Sequence, residues 1–431
     1  MESIRVVMPK QYDLVVGDTF QLFYRGIIEA PNPFCYDILS VCEKGRNYPR
    51  YFEYLPQEVG QHKLTVSVYD AGKNLLGKGE TILNVVEPKK SNKDINILCV
   101  GDSGTAGGVW PTELYRRLNE TGGEPEGLGF GNVRLIGTCT KGNVGFEGYG
   151  GWKWNDYLAT CDKDSLPVWM VCDHNKDASD QHSLWKDDEG NIWQIETLDI
   201  RRLKFNRFKG HNAEAPQSGT LTHYKNAVNT NPIVIKRSYN EAMSPFYSEE
   251  TKRISFAEYC RRNNFDAPDL VYIKLGYNGL LFNDKPWPEY CQKVVAEAKQ
   301  LIDVLHSDFP DAKVRIMGSH IPSVHGGTGA SYGAELPYCD DYGLTRFMME
   351  MNIAYQSWAN EPKYCGFVEY INISGQFDTD YNMPKVEKCV NTRSNLTESI
   401  DTNGLHPTTG GYMQVADAVY RNAVKSIAEI D

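Results

Sequence analysis

The chain has 431 residues, of which 41% are hydrophobic and 23% are charged, an ordinary composition for a globular protein of about two or three domains. Its 45 basic and 56 acidic residues give a formal net charge of −11. An acidic surface repels phosphate backbones, so nucleic acid is not expected as a partner. The sequence also contains neither a basic amphipathic segment nor a run of about 18 apolar residues, so no membrane partner is expected.

The 11 cysteines are scattered along the chain, and none of them falls in a Cys-x-x-Cys pair. A zinc ribbon or a thiol redox motif therefore has no support, and most cysteines are expected to be buried small hydrophobic residues, as in a reducing compartment. Residues 1–5 contain no apolar signal region. The chain is thus expected to be cytoplasmic as written, or secreted with a signal peptide already removed. Its oligomeric state stays open.

Residues 1–88 are expected to form a small β-sandwich domain. Segments 20–25 and 64–69 mix β-branched and aromatic residues with partial alternation, and turn signals surround them. Short strands at such intervals are typical of a sandwich, with 82–86 as its last strand. The polar segment 89–94 is typical of a linker. This accessory domain could bind sugar or act as a spacer, and the sequence leaves both alternatives open.

From residue 95 to residue 431, apolar strand-like runs alternate with helical patterns. Such alternation predicts a parallel sheet with helices on both faces. Segment 161–250 departs from this pattern and contains a hairpin signal with an Asp-Glu-Gly-Asn turn at 185–193, so a β-rich insertion is predicted there. The predicted strands are 95–100, 133–136, 270–275, 313–317 and 367–371, and the predicted helices are 110–119, one beginning at 154, 288–306, 343–358 and 411–427.

Two motifs supply a candidate nucleophile and a candidate base. A Gly-Asp-Ser tripeptide ends the first predicted strand of the α/β region and places Ser103 at the sheet edge where ligands bind, although such a turn can also serve only as a helix cap. A Gly-Leu-His-Pro motif carries His406 just before the last predicted helix, and histidine is well suited to take a proton near neutral pH. Residues far apart in sequence can meet as a catalytic pair, so Ser103 and His406 are candidates.

Two further motifs supply candidate hydrogen-bond donors. A Gly-Tyr-Asn-Gly motif follows the predicted strand 270–275, and the amide of Asn278 could donate to an oxyanion, although Asn-Gly is also a common turn pair. A glycine-rich loop at 147–152 follows the second predicted strand of the α/β region. Glycine allows a backbone N–H to approach a substrate closely, which makes Gly151 a candidate, although a plain flexible loop is the simpler alternative.

In the order Ser, Gly, Asn, His, these motifs resemble the four sequence blocks of the SGNH (GDSL-like) hydrolase superfamily. The resemblance covers about residues 94–431, and it implies a three-layer α/β/α, flavodoxin-like fold. It implies that Ser103 is the nucleophile and that His406 is the general base. It also implies an oxyanion hole formed by the N–H groups of Ser103 and Gly151 and the side chain of Asn278.

The sequence departs from the family pattern at two positions. The third block ends in Gly279 instead of Asp, and the residue three before the histidine is Asn403 instead of Asp. An aspartate there fixes the imidazole tautomer. In a serine protease with a Ser-His-Asp triad, loss of the aspartate lowers turnover by about 10⁴. Asn403 or a main-chain carbonyl is expected to orient His406, with Asp401 as an alternative and an empty role as a third.

The sequence therefore predicts a carboxylic ester hydrolase that removes small acyl groups, most simply acetyl, from carbohydrate, with no metal and no cofactor. Aromatic residues near the motifs favour a polysaccharide substrate; they are Trp110, Tyr149, Trp152 and Trp154. The sequence contains no long apolar segment typical of a lid helix, which counts against a lipid substrate. The alternative is a catalytically weak or inactive carbohydrate-binding or structural module, surface- or phage-associated. A flavodoxin-like redox protein would need a Ser- and Thr-rich phosphate loop, which residues 101–104 do not offer.

Overall fold

The computed structural model describes residues 4–160, 168–171, 183–199, 202–207, 215–216, 218–227, 230–238, 244–248, 250–278, 287–322 and 341–430. The chain forms two compact units, one of residues 1–154 with 260–431 and one of residues 155–259. The described elements are mixed α/β, which confirms the predicted class at that level.

The first 86 residues form two small sheets. Their strands are β1 Gln11–Val15, β2 Phe20–Phe23, β3 Asp37–Val41, β4 Arg46–Asn47, β5 Tyr51–Tyr54, β6 Gly60–Tyr69 and β7 Leu75–Val86. One sheet has the order β1-β7-β6-β3 and the other has the order β2-β5-β4. Alternate residues of a strand point to opposite faces, and in β6 the alternating Leu64, Val66 and Val68 are fully buried. These apolar faces form one core.

A largely parallel sheet begins at residue 95. Its strands are β8 Ile95–Gly101, β11 Val133–Ile136, β12 Cys139–Lys141, β13 Val144–Gly148, β22 Leu270–Lys274, β23 Lys313–Met317 and β24 Val368–Ile371. The order is β12-β13-β8-β22-β23-β24, with β11 beside the first half of β8 and only β12 antiparallel. The chain winds from β8 first to one side and then to the other. In open α/β sheets the ligand crevice lies at such a switch point, outside the carboxyl ends of the strands.

The described residues also form three short two-stranded ribbons and seven α-helices. The ribbons are β9 Thr121–Gly122 with β10 Gly127–Leu128, β20 Tyr247–Ser248 with β21 Arg253–Ile254, and β25 Lys385–Cys389 with β26 Thr397–Asp401. The helices are α1 Ser103–Ala106, α2 Val109–Asn119, α3 Trp154–Tyr157, α4 Phe256–Asn263, α5 Trp287–Asp308, α6 Asp341–Ala359 and α7 Thr409–Glu429.

Helical periodicity explains how α2 and α7 pack. In α7 the residues at four-residue spacing, Val415, Val419, Ala423 and Ile427, are all fully buried, as a helix with one apolar face requires. In α2, Trp110, Leu114 and Leu118 repeat the same spacing and the same burial. Both helices share one core with the apolar side chains of β8. The core thereby fixes the end of β8 relative to the start of α7.

The second unit contains a closed β-barrel. Its strands are β14 Val168–Val171, β15 Leu184–Lys186, β16 Ile192–Asp199, β17 Arg202–Arg207, β18 Ser218–Lys225 and β19 Ile233–Ser238, in the order β14-β17-β16-β15-β18-β19. Trp185 lies opposite Trp193 in the β15–β16 pair, which confirms the predicted hairpin. The Asp187 carboxylate accepts from the N–H groups of Glu189 and Asn191 and so closes its turn. These strands lie within the segment predicted as a β-rich insertion.

Buried ion pairs join the N-terminal sheets to α2 and α7. Asp18 lies 2.6 Å from both Arg117 of α2 and Arg421 of α7, and Arg117 is only 1% exposed. Burial alone would raise the pKa of Asp18, but the two guanidinium groups outweigh it and hold the pKa below its usual value. The N-terminal sheets and the α/β sheet therefore share a charged, desolvated contact.

Three predictions of a general kind can be compared with the described residues. The eight cysteines described there are free thiols, and three of them are buried while Cys35, Cys365 and Cys389 are exposed, so burial accounts for only part of them. Within the same residues, no group of three or more His, Cys, Asp or Glu side chains is placed to hold a metal ion. No helix among them combines the length and the apolarity that crossing a bilayer requires.

Candidate active site

The carboxyl ends of three neighbouring strands bring the sequence motifs together. Gly101 of β8 lies between Gly148 of β13 and Lys274 of β22 in the sheet register. Two to four residues beyond these positions come Ser103, Gly151 and Asn278. The loop before α7 supplies His406, whose Nε2 lies 2.8 Å from Ser103 Oγ across 303 residues of sequence. The predicted nucleophile and base are therefore within hydrogen-bonding distance.

The turn after β8 holds Ser103 at the first position of α1. Asp102 caps the helix, and its carboxylate accepts from the N–H of Gly104 at 2.9 Å. The first N–H groups of a helix have no intrahelical acceptor, and the described residues offer none to Ser103 N–H. Gly101 is required here because a Cβ would overlap Thr105 and the carbonyl oxygen of Lys274. Ser103 therefore presents both its hydroxyl and an open N–H.

The Gly151 loop follows β13 and not, as the sequence predicts, the strand at 133–136. Gly148 packs against α1 so closely that a Cβ would lie 2.6 Å from the backbone nitrogen of Ala106. The next residues form a turn in which Trp152 N–H donates to the carbonyl of Tyr149 at 3.3 Å. Gly151 has a φ of +80° in that turn, a conformation that favours glycine. Among the described residues its N–H has no acceptor, so it is available as a donor.

Asn278 lies between the other two motifs. Its Nδ2 donates to the carbonyl of Trp152 at 3.0 Å and lies 3.4 Å from Asp102 Oδ2. The amide thus contacts the residue before Ser103 and the residue after Gly151. Both amide hydrogens are directed at protein acceptors. An oxyanion would therefore have to replace the longer of these two contacts.

Asn403 faces the other ring nitrogen of His406. Its Oδ1 accepts from the backbone N–H groups of Leu405 and His406, each at 2.9 Å, and its Nδ2 lies 3.3 Å from His406 Nδ1. Because two donors hold the oxygen, the NH₂ group must face the ring, and an NH₂ group can only donate. We therefore infer that the resting imidazole is unprotonated at Nδ1 and donates from Nε2 to Ser103. The alternative orienting residue, Asp401, is ion-paired to Lys385 at 2.5 Å.

Three influences act on the charge state of His406. Burial lowers its pKa, the Asp102 carboxylate opposes that effect, and the positive charge of Lys274 lowers the pKa further. The net result is a pKa below the usual histidine value. The imidazole is therefore uncharged at neutral pH, as a general base must be.

His320 is a site residue that the sequence motifs do not reveal. It follows β23, and its Nε2 donates to the carbonyl of Leu405 at 3.0 Å, which ties down the loop that carries His406. His320 is only 2% exposed. Its ring lies between those of Tyr277 and Phe377, whose centres are 5.3 Å and 4.8 Å away. Burial holds the pKa of His320 well below its usual value, so the ring is neutral. Its position directly after a predicted strand was the available signal.

Most of the aromatic residues near the motifs belong to the core of the protein. Trp110, Trp152 and Trp154 are at most 1% exposed, and Trp185 and Trp193 of the barrel are equally buried. These tryptophans therefore do not support the expectation of a polysaccharide substrate. They are large apolar groups that pack inside, and the indole N–H of Trp154, for example, donates to the hydroxyl of Tyr355 at 2.8 Å. Tyr149, which is half-buried and stacks on Trp152, stays accessible.

No family model matches the chain, and no curated protein matches it. Similar solved structures include a family 3 carbohydrate esterase from Clostridium thermocellum, at 15% identity and a TM-score of 0.36, covering 78% of this chain and 100% of that one. A family 3 carbohydrate esterase from Talaromyces cellulolyticus has 11% identity, a TM-score of 0.35 and the same two coverages. A family 2 carbohydrate esterase with a carbohydrate binding domain from Corynascus thermopiles (Myceliophthora fergusii) has 10% identity, a TM-score of 0.33 and coverages of 99% and 100%. Because these TM-scores are low, the function proposed below rests on the site itself.

Proposed function

We propose that this chain is a carboxylic ester hydrolase, a serine esterase of the SGNH type. The observation that carries the proposal is the 2.8 Å separation between Ser103 Oγ and His406 Nε2 at the switch point of a parallel sheet. The proposed fold is a three-layer α/β/α domain over 95–431 with 161–250 inserted, preceded by a β-sandwich accessory domain over 1–88 and a linker over 89–94.

The proposed reaction has two steps through an acyl-enzyme. His406 Nε2 takes the hydroxyl proton while Ser103 Oγ attacks the ester carbonyl carbon, and the carbonyl oxygen becomes an oxyanion. His406 then gives the proton to the leaving alcohol, which leaves the acyl group on Ser103. A water that loses its proton to His406 attacks the acyl carbon, and collapse of the second oxyanion releases the acid and the free serine.

Three donors are proposed to stabilise both oxyanions. They are the N–H of Ser103, the N–H of Gly151 and the side-chain amide of Asn278. The absence of an acceptor for the two N–H groups among the described residues supports their role. The 3.4 Å contact from Asn278 to Asp102 is long and easily exchanged for an oxyanion. A donor of this kind is worth roughly 3–4 kcal/mol in the transition state.

The orientation of Asn403 is expected to slow this reaction. General-base action by Nε2 needs the ring proton on Nδ1, where it would point at the NH₂ group of Asn403. Rotating the amide would offer its oxygen to the ring but would break the two 2.9 Å bonds from Leu405 and His406. Each such bond contributes about 1 kcal/mol, and two like donors would then face each other. The catalytic tautomer therefore costs energy that a carboxylate at 403 would not require.

The proposed substrate is a small acyl ester, most simply an acetyl group on a carbohydrate, as the sequence resemblance implies. A partly exposed Tyr149 beside Gly151 provides one aromatic surface for a sugar ring. No metal or cofactor takes part in the proposed steps.

A second candidate function is a binding or structural module that keeps the fold but hydrolyses little. The observation that favours it is the donor group that Asn403 directs at His406 Nδ1. Such a module would bind the same acetylated carbohydrate without turnover.

The test is hydrolysis of p-nitrophenyl acetate together with labelling by a fluorophosphonate. The wild type, Ser103→Ala and the control Ser399→Ala, an exposed serine of β26, are compared. The esterase predicts labelling and hydrolysis in the wild type and the control, and neither in Ser103→Ala. Equal rates in all three proteins, with no labelling of Ser103, would reject the esterase and favour the binding module. Acetylated xylan and pectin then test the carbohydrate substrate by release of acetate.

A further inference from the structure

An almost fully buried lysine lies beside the turn that carries the candidate nucleophile. Lys274 is the last residue of β22, it is opposite Gly101 in the register, and it is only 4% exposed. Its Nζ points toward the turn that carries Ser103, because a Cβ on Gly104 would lie 3.1 Å from that nitrogen. The residue is therefore almost fully buried, and its ammonium group lies at the level of α1, beside the turn that carries Ser103.

This ammonium has no acidic partner. Among the described residues, no carboxylate lies within ion-pairing distance of the Lys274 ammonium, whereas the buried cations Arg117 and Arg315 each contact a carboxylate. Burying an unpaired charge is costly, and lysine is almost never fully buried without a partner. The same Cβ position on Gly104 would lie 3.2 Å from Asp102 Oδ1, so Lys274 and Asp102 both face the turn that carries Ser103.

We propose that Lys274 supplies a positive charge beside the turn of Ser103, which stabilises the negative oxygen that forms during attack by Ser103. This inference rests on the proposed esterase function. Lys274 acts on the reacting atoms through its charge and is in that sense a positioning residue.

The groups around His406 are consistent with this role. Asp102, from the turn after β8, is the acidic neighbour, and its carboxylate raises the pKa of His406. Lys274, from β22, lowers that pKa in addition to burial. His320, after β23, is neutral, and its buried Nδ1 has no hydrogen-bond partner in the described part of the chain. Asn403, on the same loop as His406, carries no charge. Lys274 is thus the cation that opposes Asp102.

The experiment compares Lys274→Met, Lys274→Arg and the control Lys313→Met. Lys313 is the first residue of β23, the strand beside β22, and lies at the end of the sheet away from Ser103. His406 is titrated by NMR, with its signal assigned from His406→Asn, and the pH dependence of kcat/KM is measured with p-nitrophenyl acetate. In Lys274→Met the pKa of His406 rises, the acid limb of the profile moves to higher pH and kcat falls by roughly tenfold. Lys274→Arg restores the profile in part, and Lys313→Met leaves it unchanged.

Stability separates this role from a structural one. Methionine has a side chain of similar length and keeps the apolar packing of the lysine stem, so Lys274→Met is expected to keep the wild-type melting temperature while it is less active. A lower melting temperature, or an unchanged titration of His406, would overturn the proposal. The NMR titration needs no turnover, so a wild type that binds no fluorophosphonate would reject the esterase and leave the test of Lys274 intact.

Discussion

Replacing Asn403 with aspartate exchanges an NH₂ group for an oxygen and should activate the enzyme. In the present structure the oxygen of Asn403 holds two backbone N–H groups, and the nitrogen lies 3.3 Å from His406 Nδ1. An aspartate in the same conformation keeps both backbone bonds and presents a second, negatively charged oxygen to the ring. The ring proton then moves to Nδ1, and Nε2 becomes the acceptor for the proton of Ser103.

The magnitude follows from the reverse change in trypsin, where loss of the aspartate lowers turnover by about 10⁴. That factor corresponds to about 5.5 kcal/mol at 1.36 kcal/mol for each tenfold. The nitrogen-to-nitrogen distance of 3.3 Å has to shorten toward the roughly 2.8 Å of a charge-assisted bond, which consumes part of the gain. We therefore expect Asn403→Asp to raise kcat by about 10²–10⁴.

The assay is the rate of p-nitrophenyl acetate hydrolysis above pH 7, supported by the rate of fluorophosphonate labelling. Ser103→Ala in the Asn403→Asp background gives the rate without the nucleophile. Asn391→Asp is the matched control, because Asn391 lies between β25 and β26 and the change adds the same charge outside the site. A folded Asn403→Asp protein whose rate is unchanged or lower would refute the inferred resting tautomer of His406.

Three further predictions concern positioning, pH and stability. His320→Phe removes the hydrogen bond to the catalytic loop and should lower kcat by roughly tenfold with little change in KM, while His320→Asn should restore part of the rate, as steady-state kinetics will check. The pKa of His406 is lowered, and a base acts while it is uncharged, so kcat/KM should stay high to a pH below the ordinary histidine pKa of 6.5. Asp18→Asn leaves the buried Arg421 without an acidic partner, while Arg117 keeps Asp417, and should cost about 3–5 kcal/mol in urea unfolding. Since the pKa of Asp18 is lowered on folding, this stabilisation is present above its unfolded pKa and is lost as the pH falls through its folded pKa; a pH-independent difference would contradict it.

The sequence predicts the strands and helices whose periodicity is strong. The buried strand at 95–101 and helix α7, with its four-residue apolar spacing, agree with their predicted limits to within two residues. Strand β13 was missed because it reads Val-Gly-Phe-Glu-Gly, and two glycines in five residues weaken a strand pattern. The helix predicted to begin at Trp154 is a single turn, and α4 was not predicted. In both cases tertiary packing overrides a weak local preference.

The residues of the candidate site also differ in whether the sequence predicts them. Ser103 and His406 stand in motifs, so their meeting could be predicted from the edge of the sheet to which each belongs. Lys274 and His320 lack a motif, although each ends or follows a buried strand at that edge. A charged residue at the end of an apolar strand is a usable signal, because a buried charge needs a reason.

The direction of a hydrogen bond lies beyond the reach of such patterns. The sequence shows that residue 403 is an asparagine, and either end of its amide could face His406. Only the loop backbone decides between them, because the N–H groups of Leu405 and His406 converge on one atom and that atom must be an acceptor. With aspartate at this position the choice would not arise, since both of its oxygens accept. The two backbone N–H groups therefore fix the orientation of the Asn403 amide, and that orientation determines the tautomer of His406. The rate of the proposed reaction thus depends on these two backbone hydrogen bonds.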